Sequence, residues 1–134
     1  MSETEILAVV VEWEFPFPPE KIWRALTQPH LIAEWLMTND FQAQVGHDFR
    51  LSADWGSVDC RVRTVEPHRA LSYSWDTKDL VSVVSWTLTP TSAGTVLRME
   101  QSGFRQDQQP YYRGAQVAWP RFLANLEQVL ARMG

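Results

Sequence analysis

Cysteine is almost absent from this chain of 134 residues, which contains only Cys60. A lone cysteine cannot form an intrachain disulfide, so a small secreted scaffold held together by disulfides is excluded. Long apolar runs are also missing, and none approaches the roughly 20 residues that span a bilayer. Glu3 and Glu5 stand where a signal peptide would carry positive charge. We therefore expect a cytoplasmic protein with no segment inserted in a membrane.

Positive charge is scarce as well, since 12 basic residues face 16 acidic ones and the net charge is −4. The arginines are dispersed, without the basic stripe that nucleic-acid binding requires, so we expect no nucleic-acid partner. The chain has no glycine-rich phosphate loop, no GxSxG and no HExxH motif. Its histidines, His30, His47 and His68, lie far apart in sequence near the ends of predicted elements. We expect neither a metal nor a cofactor, because metal sites need clustered ligands.

Aromatic residues, by contrast, are abundant, with seven tryptophans in a chain that is 45% hydrophobic. This length suits a single domain over residues 1–134, and such a domain buries roughly two-thirds of its unfolded surface. The composition excludes a disordered chain. It predicts either a large aromatic core or a core with a hollow lined by aromatic rings.

The first third of the sequence predicts one strand and two short helices. Within residues 5–15, large apolar side chains share one parity, which is typical of a strand with one buried face: Leu7, Val9, Val11, Trp13 and Phe15. The prolines that follow stop the strand and favour a helix start, and apolar spacing predicts helices over residues 19–26 and from Pro29 to about Met37. Residues 38–40 form a predicted turn.

Beyond Gly46 the apolar period changes to two, which predicts an antiparallel meander. Five strands are expected at residues 47–53, 58–65, 71–75, 84–89 and 96–101. Residues 76–79 are predicted as a polar loop and residues 102–110 as irregular. An apolar stripe from Ala115 to Met133 predicts a long final helix, in which Pro120 either introduces a kink or marks the true start.

This order of elements predicts an α+β helix-grip fold: a curved antiparallel sheet of about six to seven strands, with two short helices after the first strand. The long C-terminal helix packs across the sheet. Because a strongly curved sheet cannot press evenly on a straight helix, we expect a cavity between them. Every functional expectation depends on that geometric step.

Several stretches resemble the family of activators of the heat-shock-chaperone ATPase. They are PFPPEKIWRALTQPHLIAEWL, GHDFRL, VDCRVRTVEPHRALSYSW and GTVLRMEQSGF, with Trp119 where relatives usually have a Gly-Trp pair. The family belongs to the START and birch-pollen-allergen-like (SRPBCC) superfamily of helix-grip folds. The resemblance implies a hydrophobic cavity and, for many members, binding of lipids or aromatic molecules. Ala118, Pro120, Gln101 and Cys60 depart from the family pattern, so the identity of a ligand is not carried over.

Eight residues are candidates for the walls of the cavity. Large rings that converge around one helix leave gaps, although simple core packing explains any one of them equally well. Gln101 is a candidate polar contact whose amide could pair with a ligand, with water or with Tyr112, and Arg63 is a weaker one. Cys60 alternates with valines, so we expect a buried, inert thiol. The candidates for ligand binding are Trp55, Trp75, Trp86, Met99, Gln101, Tyr112, Trp119 and Phe122.

These observations favour non-catalytic binding of a small hydrophobic molecule, either lipid-like or aromatic. Two alternatives stay open. One is a co-chaperone-like module that stimulates a heat-shock-chaperone ATPase in the stress response, with the chaperone as its partner. The other is a polyketide cyclase or aromatase, which would need an inward acid or base. The sequence also leaves open whether the protein forms a homodimer.

Overall fold

A computed structural model describes residues 6–133 and begins with one strand followed by two short helices. β1 (Ile6–Phe15) ends at Pro16, because a proline cannot donate a hydrogen bond to the ladder. α1 (Pro19–Thr27) and α2 (Pro29–Trp35) each begin on a proline, whose fixed φ suits the first helical position. Both helices bury an apolar face, as their spacing predicts.

The sheet contains seven antiparallel strands and is followed by one long helix. Beyond α2 the strands are β2 (Thr38–Asn39), β3 (Asp48–Ala53), β4 (Gly56–Glu66), β5 (Ala70–Thr77), β6 (Leu80–Pro90) and β7 (Thr95–Arg105), with α3 (Gln109–Arg132) at the end. The strand order is β1-β7-β6-β5-β4-β3-β2. β2 to β7 therefore form a meander. β1 pairs with β7 and forms one edge of the sheet, and β2 forms the other. The predicted helix-grip fold is confirmed. No helix within residues 6–133 is long and apolar enough to cross a lipid bilayer.

α3 packs across one face of the sheet through large side chains in its C-terminal half. Leu123, Leu126 and Leu130 are completely buried there. At the end of the helix, Arg132 pairs with Glu34 of α2 at 2.9 Å. Together these contacts fix the C-terminal half of α3 against the core.

Three predicted loops are wrong, because backbone pairing continues through polar stretches. Residues 38–39 pair with β3 as the short β2 instead of forming a turn. β5 continues to Thr77, which pairs with Leu80, so only two residues turn the chain where residues 76–79 were predicted as a loop. β7 reaches Arg105 and α3 begins at Gln109, so only three residues of the predicted irregular segment 102–110 lie outside a strand or a helix. Strand pairing uses backbone groups, so a polar side chain does not by itself end a strand.

A β-bulge at Gly103 changes the inward parity of β7. Leu7 pairs with Phe104 and Ala8 pairs with Ser102, so Gly103 is the additional residue. Its φ is 129°, and a Cβ built on it would lie 2.6 Å from the Val81 carbonyl oxygen. Glycine is therefore required at this position. The bulge turns both Gln101 and Phe104 to the buried face, although they are three residues apart.

Pro120 lies within α3 and does not begin it. The helix starts at Gln109, with Pro110 in its first turn, and continues through Pro120 to Arg132. The prediction that Pro120 marks the true start is therefore wrong. Pro120 has no N–H, so the Gln116 carbonyl receives no hydrogen bond from it. The predicted apolar stripe also omitted Leu123, which is completely buried.

Candidate ligand cavity

A cavity of about 540 Å³ lies between the N-terminal half of α3 and the sheet. This volume falls within the range of about 300–1,000 Å³ that is typical of small-molecule sites. The wall on the sheet side consists of Trp75, Leu80, Gln101 and Phe104. The wall on the helix side consists of Pro110, Tyr111, Gly114, Ala115, Ala118, Trp119 and Phe122.

Small residues on α3 explain why the space is not filled. Gly114, Ala115 and Ala118 lie on the same helical stripe as Trp119 and Phe122, and that stripe lines the cavity. A Cβ built on Gly114 would meet no atom within 4 Å. One turn further on, the stripe changes to leucines that are fully buried. The cavity thus ends where large helix side chains begin to reach the sheet.

Trp119 forms the inner end of the cavity and contacts three other rings. Its ring centroid lies 5.2 Å from that of Trp75, 5.4 Å from that of Phe122 and 5.7 Å from that of Trp86. Tilted and edge-to-face arrangements of this kind are favourable for aromatic pairs. Only 1% of Trp119 is exposed, so it belongs to the core and to the wall at once.

Gln101 has protein partners for both ends of its amide. Its Oε1 accepts a hydrogen bond from Trp119 Nε1 at 2.7 Å, and its Nε2 donates to Ser82 Oγ at 3.1 Å. Ser82 Oγ in turn donates to the Trp75 carbonyl oxygen at 2.6 Å. Tyr112 takes no part in this chain of hydrogen bonds, contrary to one of the sequence-based alternatives. The Gln101 amide therefore needs no hydrogen bond from a guest molecule bound in the cavity.

The cavity opens to solvent between two hairpins and the start of α3. Trp55 lies at the tip of the β3–β4 turn and is 65% exposed, while Tyr111 on α3 is 38% exposed. Thr77 and Lys78 come from the β5–β6 hairpin. The Thr77 Oγ1 atom is buried and has no hydrogen-bond partner in the protein. The mouth thus combines aromatic surface and one cation, and the buried Thr77 hydroxyl belongs to a residue of the same lining.

The structure brings five of the eight candidate residues to this cavity: Trp55, Trp75, Gln101, Trp119 and Phe122. The other three lie elsewhere. Met99 is completely buried in the core, and Trp86 Nε1 donates to the Tyr73 hydroxyl at 3.0 Å beneath Trp119. Tyr112 is half-buried and packs against Phe104, with ring centroids 5.6 Å apart.

Sequence reasoning missed several residues that line the cavity. Phe104 follows the bulge, so simple alternation does not place it inward. A glycine within a strand pattern often marks a bulge, so Gly103 was the signal from which the inward position of Phe104 could have been inferred. Thr77 and Lys78 fell in a stretch predicted as a loop. Gly114 lies in a helix with nothing against it, and no local pattern indicates which side of a helix lacks a neighbour.

Cys60 is a structural thiol, as its alternation with valines indicates. It lies on the buried face of β4 with Val58 and Val62. Burial, followed by the nearby charges of Asp76 and Asp59, raises the pKa of the Cys60 thiol far above its ordinary value of 9.0. A thiol held in its neutral form is a poor nucleophile. Among residues 6–133 no group of three or more potential ligands could hold a metal ion.

A larger depression of about 680 Å³ lies at the β2–β4 edge of the sheet but has a different character. Three aspartates line it, and two of them pair with arginines: Asp48 with Arg61 at 2.6 Å and Asp59 with Arg50 at 2.9 Å. All three aspartates are exposed, and only Asp40 lacks an ion pair with an arginine among residues 6–133. The cavity beneath α3 is the better candidate site because its walls are mainly apolar rings.

Fold and cavity together define a helix-grip protein with an open apolar hollow under its C-terminal helix. The family model described as Activator of Hsp90 ATPase homolog 1-like protein matches residues 16–131, and the chain belongs to this family. The family resemblance noted in the sequence is thereby confirmed.

Solved structures agree with this assignment. Protein MLL2253 from Mesorhizobium loti is 58% identical, with a TM-score of 0.93, and the match covers 96% of this chain and 99% of that one. Protein BH1534 from Bacillus halodurans is 28% identical, with a TM-score of 0.84 and coverage of 95% and 99%. DynU16, described as a putative protein in the dynemicin biosynthetic locus, is 25% identical, with a TM-score of 0.85; the match covers 93% of this chain and 47% of DynU16. No curated protein matches the chain.

Proposed function

We propose that this protein binds a small hydrophobic molecule, lipid-like or aromatic, in the cavity beneath α3 and performs no chemistry on it. The observation that carries the proposal is the unfilled space of about 540 Å³ between Gly114, Ala115 and Ala118 on one side and the rings of Trp75 and Phe104 on the other. Removing apolar surface from water contributes about 25 cal/mol per Å² before the ordering costs of binding.

The polar groups of the inner wall support this proposal. Gln101, Ser82 and the Trp119 indole satisfy one another, so they present little unmet hydrogen bonding to a guest. A desolvated polar group that a guest failed to satisfy would oppose binding, and the internal pairing removes that cost. The wall therefore suits an apolar body.

The enzyme alternative needs an acid or base beside the guest. Within residues 6–133 no Asp, Glu or His lines the cavity. Gln101 and the arginine at position 63, which is exposed, are poor general bases. The co-chaperone alternative needs a docking surface for the ATPase, and no observation favours one. Binding without catalysis is therefore the function that we propose.

Thermal unfolding in the presence of apolar probes tests the proposal. Decanol and naphthol should raise the melting temperature of the wild-type protein in proportion to the logarithm of their concentration. Gly114→Leu should remove most of that rise, because the new side chain occupies the cavity. Gly114→Ala is the matched control and should retain it. A rise of equal size in the Gly114→Leu protein, or no rise in the wild type with either probe, would exclude this cavity as the site.

Gly114→Leu is a sharper test than truncation of Trp119. Trp119 is buried in the core, so Trp119→Ala would cost about 3–5 kcal/mol of stability whatever the function of the cavity. Loss of binding in that variant could simply reflect loss of the fold.

A further inference from the structure

Within residues 6–133, the charged side chain that lines the cavity is a cation, Lys78. Lys78 lines the cavity itself, and Arg113 and Arg121 line a neighbouring depression that shares Gly114, Ala118 and Phe122 with it. In the part of the chain that the structure describes, no Asp or Glu lines either space. A second neighbouring depression, which shares Pro110 and Tyr111 with the cavity, carries both signs: Asp107 pairs there with Arg105, and Asp79 also lines it. The excess of positive charge is therefore confined to Lys78 and the α3 side of the mouth, in a protein whose net charge is −4.

These three cations also differ from the ion-paired arginines of the surface. Arg50, Arg61, Arg98, Arg105 and Arg132 each approach a carboxylate at 3.1 Å or less. Lys78, Arg113 and Arg121 form no ion pair with any residue between positions 6 and 133. Their charges are therefore free to act on a bound molecule.

The Thr77 hydroxyl provides a second, independent observation at the same place. Its Oγ1 is buried without a hydrogen-bond partner in the protein, and Thr77 lines the cavity next to Lys78 in the β5–β6 hairpin. A carboxylate or phosphate oxygen accepts hydrogen bonds from both a hydroxyl and an ammonium group, and such charge-assisted bonds are stronger than neutral ones. An amine on the guest would be repelled by Lys78.

From this arrangement we infer that the guest is an amphipathic anion, with its apolar body in the cavity and its carboxylate or phosphate group against Thr77 and Lys78 at the mouth. This inference rests on the proposed function, because it presupposes a guest in the cavity. It adds the chemical class of that guest. Arg113 and Arg121 lie on the adjoining side of α3, and their positive charges also favour an anionic guest.

Isothermal titration calorimetry with four matched probes tests the inference. Decanoate, decyl phosphate, decanol and decyltrimethylammonium share one apolar tail and are used at low salt, below the concentrations at which they form micelles. We expect one or both anions to bind about two- to five-fold more tightly than decanol, which is the range expected of an exposed ion pair. Comparing decanoate with decyl phosphate identifies the preferred anion. Added salt should reduce the preference, because it screens exposed charges.

The chain offers a matched control, since it contains two lysines. Lys78→Met should bring the affinities for decanoate and decanol together, because it removes the charge that favours the anion. Lys21→Met removes the same charge far from the cavity, where Lys21 lies 4.4 Å above the Phe17 ring centroid, and should keep the preference. Thr77→Val should weaken binding of the anion without lowering stability, because it removes an unsatisfied hydroxyl.

Three results would overturn the inference. They are equal binding of anions and decanol to the wild type, tighter binding of the ammonium probe, and a preference that survives Lys78→Met but disappears in an Arg113→Gln, Arg121→Gln double variant. Failure of the proposed function has a different signature, because none of the four probes would then bind.

Discussion

The indole Nε1 of Trp119 on α3 donates a 2.7 Å hydrogen bond to Oε1 of Gln101 on β7, and both side chains are buried. This bond joins the long helix to the sheet at the inner end of the cavity. It matters because a buried tryptophan usually needs a partner for its N–H, and here the partner lies on the opposite wall. The helix is thereby held above a space that its small residues do not fill.

Replacing Gln101 with methionine should lower the free energy of unfolding by about 1–3 kcal/mol, because the Trp119 N–H and the Ser82 hydroxyl each lose a partner. Urea denaturation measures the change. Gln116→Met on the exposed face of α3 is the control and should change stability by at most about 0.5 kcal/mol. A Gln101→Met protein as stable as the wild type would show that the hydrogen-bond chain is dispensable.

Two glycine-to-alanine substitutions should have opposite effects. Gly114→Ala adds a methyl group in open space within a helix and should stabilise the protein by about 0.5–1 kcal/mol. Gly103→Ala should destabilise it by more than that, because φ is 129° and the new Cβ would lie 2.6 Å from the Val81 carbonyl oxygen. Thermal unfolding of the two variants side by side measures the difference. Equal effects would contradict the assigned bulge.

Most of the fold could be predicted because it depends on local periodicity. The alternation in β4 and β6 and the helical stripe of α3 each identify a buried face without knowledge of any neighbour. The helix starts at Pro19 and Pro29 were equally clear, since proline marks the first turn. The strand ends were less predictable, because Asp76 and Thr77 are polar side chains on a strand that pairs through its backbone.

The cavity could be predicted only in part, because its lining depends on which side chains fill the space above a strand. Trp75 and Trp86 have the same alternation signal, yet Trp75 lines the cavity and Trp86 lies beneath Trp119. Which of the two tryptophans lines the cavity depends on where α3 lies above the sheet. Phe104 was missed because the Gly103 bulge shifts the parity of its strand, and a single additional residue reverses every later inference from alternation.

The buried thiol of Cys60 should show itself in alkaline solution. Its pKa is raised in the folded protein, so the folded state keeps the proton that the unfolded chain loses above the ordinary value of 9.0. The free energy of unfolding should therefore fall as pH rises past that value. Urea midpoints measured between about pH 7 and about pH 10 should decline less steeply for Cys60→Ala than for the wild type. Identical slopes would contradict the assignment.

The same burial protects Cys60 from modification. In the folded protein at about pH 8 it should react with iodoacetamide far more slowly than a free thiol, and it should react readily in urea. Mass spectrometry of the alkylated protein measures both rates. Rapid labelling of the native protein would show that β4 opens at this position.

Indole resonances give the most direct test of the central claim, that an apolar molecule occupies the cavity beneath α3. Trp55, Trp75 and Trp119 line the cavity, whereas Trp13 and Trp23 do not, and each indole N–H gives its own ¹H–¹⁵N signal. On titration with decanoate, the signals of the three lining tryptophans should shift progressively while those of Trp13 and Trp23 stay in place. If all five signals remain unmoved, or if Trp13 and Trp23 move while the lining residues do not, the cavity is not where the guest binds.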